Sequence, residues 1–142
     1  MTSPDAHVPG PTAVAAILVD SSAWVHHFRS HDSFIDAMLS RAMARTHPDV
    51  VGELAMGRNP EAALCRNAVI GLPAVDPVDR FVLLGMIDEH AMNGVGIGSV
   101  DAGLLAACMR SPEPLAIYTR DRAMSRVARS LDIPVVDPEP LA

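Results

Sequence analysis

The chain has 142 residues, a net charge of −6 and eleven basic residues, every one an arginine. That length fits one domain of ordinary size, and 49% hydrophobic against 20% charged residues excludes a disordered chain. The missing lysine excludes a Schiff base, a Walker-type phosphate loop and the lysine of a receiver domain, while the acidic balance argues against a basic, non-specific nucleic-acid binder but not against a nuclease whose acids are offset by metal.

Residues 1–12 hold three prolines and no apolar period, which predicts a flexible tail ahead of a single domain over 13–142. AVAAILV, ending at Val19, is a short apolar run without polar alternation, the pattern of a central strand buried on both faces. It is too short to span a bilayer and no arginine precedes it as in a signal peptide. With Cys65 and Cys108 both set in apolar patterns, the reading is a cytoplasmic protein with free thiols and no membrane contact. Asp20 closes the strand, and Ser21 and Ser22 offer helix caps for a short helix with Trp24, Val25 and Phe28 inward.

A helix is expected over Asp32 to Arg45, and another over VVGELAMG, capped by Asp49 and ending at Gly57. After a turn at Asn59, Pro60 starts the helix EAALCRNAVIG, and LPAV reads as a short strand. Pro77 opens what is expected to be the longest helix, to about Met92, with Phe81, Val82, Leu84, Met86 and Ile87 largely buried. The loop NGVGIGS leads into VDAGLLAACM, apolar on nearly every side and so a buried helix. LAIYT is a second central strand and IPVV a last one. Between them, Asp121 to Leu131 is amphipathic, with Arg122, Arg126 and Arg129 opposite Met124, Val127 and Ala128. Strands alternating with helices predict an α/β fold: a three-layer α/β/α sandwich around a central, mostly parallel sheet.

Four acids stand in unusual settings. Asp20 and Asp121 follow strands, Glu53 has apolar neighbours, and Asp101 opens a helix with no other charge until Arg110. Each has a plain structural use: caps for Asp20, Asp101 and Asp121, a polar helix side for Glu53. Beyond the carboxyl ends of parallel strands, however, lies the crevice where ligands bind. Four carboxylates converging there need cations, and hard oxygen ligands suit Mg²⁺ or Mn²⁺, which assist phosphodiester hydrolysis.

The segments ILVDSSAWVHHF, VVGELAMG, VGIGSVDAGLLAA and LAIYTRDRAMSRVA, one acid in each and in this order, resemble the PIN-domain ribonucleases, in particular the VapC-like toxins of bacterial type II toxin–antitoxin pairs. The resemblance covers most of residues 16–131. It implies an endoribonuclease using Mg²⁺ or Mn²⁺ held by Asp20, Glu53, Asp101 and Asp121, with Ser21 or Ser22 and Thr119 as supporting hydroxyls. It also implies a homodimer silenced by a VapB-like antitoxin. Gly103 stands where relatives commonly carry a polar residue, and His26 where many carry an acid. With no lysine, phosphate contacts fall to arginines, of which Arg120 and Arg122 are nearest the last acid.

Other motifs are weaker. His26, His27 and His31 do not form a zinc motif such as H-E-x-x-H. GVGIG lacks the strand and third glycine of a dinucleotide site. The alternatives to a nuclease are a PIN-like protein-binding module without activity and a metal-dependent phosphatase. Apolar residues in excess of a small domain's needs, on the helix after Pro77 and from Phe34 to Met43, point to an interface.

Overall fold

Asp20 and Thr119 lie 99 positions apart in sequence and side by side in space, because the strands that precede them pair. The computed structural model describes residues 14–58 and 60–137. The tail expected over 1–12, the turn at Asn59 and the chain after 137 lie outside the described residues. β1 (Ala16–Val19) and β3 (Leu115–Tyr118) run parallel and fully buried, with Ala16 opposite Leu115 and Val19 opposite Tyr118. β2 (Ala44–Arg45) pairs parallel on the other side of β1, giving the order β2-β1-β3. Each edge gains one further parallel bridge, Thr46 with Ala74 and Ile117 with Val135. LPAV and IPVV thus add single bridges rather than named strands. Pro73 and Pro134, whose carbonyls accept from Thr46 and Ile117, have no N–H to extend a ladder.

Between β1 and β2 run α1 (Ser21–Ser30) and α2 (Ser33–Ser40); α3 (Pro48–Ala55), α4 (Pro60–Val69), α5 (Arg80–Glu89) and α6 (Ser99–Arg110) lead to β3, and α7 (Arg122–Ser130) follows it. The result is the predicted α/β architecture, a parallel sheet flanked by helices. The chain leaves β1 towards β2 on one side and returns through β3 on the other. This places a topological switch point at the carboxyl ends of β1 and β3.

Five local expectations are corrected. The helix expected over Asp32 to Arg45 ends at Ser40. Ala42 takes a positive φ of 55°, and Met43 turns into the sheet, its carbonyl accepting from the Ile17 N–H. Pairing with β1, a non-local gain, overrides the local helical preference of these residues. α3 is capped by His47, whose Nδ1 accepts the Asp49 N–H, with Pro48 in the first turn. Asp20, for which the sequence also offered this use, caps α1 in place of Ser21 or Ser22. α5 starts three residues later than expected, with Asp79 accepting from the Phe81 and Val82 N–H groups, and α6 is the longest helix described.

α6 is the central buried helix, as its composition predicted: Leu104 and Leu105 are wholly buried within the main core, with Leu18, Ile117 and Trp24. Truncating such a leucine to alanine costs about 2–5 kcal/mol. α5 does not follow its prediction, because only Met86 of its apolar residues is buried; Phe81 is 85% and Leu84 55% exposed. Among the described residues no helix is long and apolar enough to cross a membrane.

Candidate active site

β1 delivers Asp20 to its carboxyl end, 4% exposed. A buried carboxylate needs donors, and Asp20 has several. The Ser21 N–H donates to Oδ1 at 2.7 Å, while the Ser22 and Thr119 hydroxyls donate to Oδ2 at 3.1 and 2.7 Å. Ser22 Oγ in turn accepts the Arg120 N–H, and Thr119 Oγ1 accepts the Asp121 N–H, each at 3.0 Å. Asp121 caps α7, accepting from the Met124 N–H. Two strand ends and two helix starts are therefore tied by hydroxyls between Asp20 and Asp121.

Glu53 reaches the same end from α3. It is exposed, and its Oε1 accepts the Ser21 hydroxyl at 2.8 Å. Asp101 enters from the first turn of α6, half-buried; Gly98 occupies the capping position with no side-chain bond, so Asp101 is not spent as that helix's cap. Burial pushes its carboxyl up to about 6, and the charges of Asp20, Asp121 and Glu53 push in the same direction. Asp101 thus shares one electrostatic neighbourhood with the other three acids. The neighbourhood is open: among the described residues the only set of three or more with ligand atoms all within 4.8 Å of one another is His27, His31 and Asp36.

That histidine set was not legible in sequence, because Asp36 joins it from α2. Its chemistry is that of a joint between helices. His27 Nδ1 accepts the Asp32 N–H, which leaves the proton of neutral imidazole on Nε2, the atom 3.9 Å from Asp36 Oδ1. A metal at Nε2 would have to displace that proton and break the bond to Asp32.

A cleft of about 1150 Å³ opens beside the acids. Thr119, Arg120, Asp121 and Arg122 line it, as do Arg126 and Arg129 of α7; Asp20, Glu53 and Asp101 do not. The arginine face of α7 therefore borders a concave surface. His26 lines the cleft as well. At Gly103 a Cβ would meet Leu83 Cδ2 at 3.6 Å and Asp49 Oδ2 at 4.0 Å, so that position looks towards α5.

A PIN-like parallel sheet with its acids gathered beyond the strand ends defines the class of protein. Over 108 residues the chain is 30% identical to the ribonuclease VapC32 of Mycobacterium tuberculosis, a match spanning 76% of this chain and 86% of the relative, with the same values in two strains. The chain belongs to the VapC family of PIN-domain proteins. No family model matches it.

Proposed function

We propose that the protein is a metal-dependent endoribonuclease toxin in which Asp20, Glu53, Asp101 and Asp121 hold Mg²⁺ or Mn²⁺. The observation that carries this reading is that Asp101, half-buried in the first turn of α6, shares its surroundings with three other acids, Asp20, Asp121 and Glu53. Carboxylates that share one neighbourhood repel one another unless protonated or offset by cations. An all-oxygen donor set suits a hard divalent ion, and the residues present fit one. The bound ion supplies Lewis-acid stabilisation of the phosphodiester and activation of a water. The chain's own contributions are separate. The hydroxyls of Ser22 and Thr119 orient Asp20, the Ser21 hydroxyl orients Glu53, and Arg120 and Arg122 hold substrate phosphates.

The partners follow from the same chemistry. A VapB-like antitoxin that offers an arginine to the acidic crevice would displace both metal and RNA. The exposed apolar side of α5, with Phe81 and Leu84 outward, is the surface of a homodimer. The site of action is the cytoplasm.

The test is cleavage of RNA with Mg²⁺ or Mn²⁺, with and without chelator, beside Asp101→Asn. Products with 5′-phosphate and 3′-hydroxyl ends support attack by water. Cyclic 2′,3′-phosphates would overturn the mechanism, and hydrolysis of a small phosphate ester in place of RNA would favour a phosphatase.

A further inference from the structure

We propose that α7 carries a phosphate track for single-stranded RNA: Arg122 and Arg126, continued by Arg129, hold the sugar–phosphate backbone of the strand that leads away from the acids. The inference rests on the ribonuclease reading and names how its substrate lies.

The spacing comes first. Positions 122, 126 and 129 are four and three apart, so the side chains share one helix face, separated by about 6 and 4.5 Å along the axis. The opposite face, Met124, Val127 and Ala128, is buried in the core, which holds the helix and aims the arginines. Fixed cations at regular steps suit a backbone that repeats its charge. Asp121, which caps the same helix, places the start of the track at the acids.

The arginines keep donors to spare. A guanidinium has five N–H groups. Arg126 uses one on the Val95 carbonyl at 3.4 Å, Arg129 one on Asp137 at 2.9 Å, and Arg122 has no ion-pair partner among the described residues. The acids that also line the cleft are engaged: Asp137 by Arg129, and Asp32 by the Tyr118 hydroxyl and the Phe34 N–H.

The α1–α2 elbow supplies the second observation. Phe34 lines the cleft, half-buried, its ring set edge-on to Tyr118 at 5.2 Å between centroids. An aromatic side chain beside a cationic track is the arrangement that binds unpaired bases, since a duplex hides the base faces that stack.

The experiment uses the full chain with a single-stranded RNA oligonucleotide, measured across a salt series. Arg122→Gln/Arg126→Gln is compared with wild type and with Arg110→Gln, which lies at the far end of α6 from Asp101. We expect the double variant to raise KM about tenfold or more, as loss of charged hydrogen bonds does, with kcat kept. The slope of log affinity against log salt should become shallower by about 1.4, about 0.7 for each phosphate released. Arg110→Gln should match wild type, and Phe34→Leu should weaken single-strand binding without changing the slope. A wild type that cleaves RNA while the double variant keeps its KM and salt slope overturns the track alone. A wild type that binds RNA through these arginines and leaves it uncut supports the track and removes the nuclease reading.

Discussion

The Thr119 hydroxyl donates to Asp20 Oδ2 at 2.7 Å while accepting the Asp121 N–H at 3.0 Å. One oxygen thus fixes the side chain of the first acid and the backbone of the last, across the seam between β1 and β3. A valine at this position has the right shape and neither capability. Thr119→Val should lower cleavage about 10- to 100-fold, the scale of losing a partner that orients a metal ligand, and Thr119→Ser should restore most of it. Metal titration of activity would show the valine variant needing more Mn²⁺ for half-maximal rate.

Asp101 ties stability to pH. Its carboxyl titrates near 6 in the fold against 3.8 ordinarily, so folding favours the protonated form. That contribution is full below pH 3.8 and is lost as pH rises through about 6. At pH 7 the ion destabilises the metal-free protein by about 1–2 kcal/mol after allowance for solvent screening. Asp101→Asn should therefore raise the metal-free Tm at pH 7 by a few degrees while abolishing cleavage. Mn²⁺ should raise the Tm of wild type more than that of the variant, a comparison thermal denaturation makes directly.

His47 acts in the opposite sense. It is 2% exposed, its Nε2 has no hydrogen-bond partner, and burial holds it below its ordinary 6.5 against the opposing charge of Asp49. Folding needs the neutral ring, so its contribution is present above pH 6.5 and lost as pH falls through the lowered value. His47→Asn keeps an acceptor for the Asp49 N–H. The variant should show a flatter loss of stability in denaturant titrations between pH 6.5 and 5, even if its stability at pH 7 is lower.

Phe81 and Leu84 face solvent on α5, beside a groove that reaches His47 and Ser99. Phe81→Asp should convert a dimer into a monomer, read by light scattering, while the far-UV spectrum and Tm of the monomer stay close to wild type. A wild-type monomer at all concentrations would remove α5 as a self-association surface.

Gly57 sits where the chain turns from α3 towards α4. An added Cβ would lie 2.4 Å from the Ala62 Cβ and 3.4 Å from the Leu54 carbonyl. Gly57→Ala must move one helix against the other and should cost about 1–3 kcal/mol. Gly103→Ala, with its nearest contact at 3.6 Å, should cost far less, and urea unfolding of the two variants separates them.

By itself the sequence determined the α/β class, the central strands ending at Val19 and near Tyr118, the buried helix from Val100 and the amphipathic helix after Asp121. Each rests on a local pattern: an unbroken apolar run, an all-round apolar helix, a two-faced one. The four acids were also legible, because a carboxylate at a strand end or among apolar residues is costly and so conspicuous. What only the tertiary structure decided are relations between distant segments. β2 exists because Met43 to Arg45 pair with β1, and nothing within those residues opposes a helix. Phe81 and Leu84 are outward because α5 presents one side to α6, while the identity of a large apolar residue says that it seeks a partner, not which one. The ties from Thr119 to Asp20 and from Ser21 to Glu53, and the cleft between α7 and the α1–α2 elbow, depend on strand order. Periodicity carries no information about order, since pairing free energy is gained between residues that the chain keeps far apart.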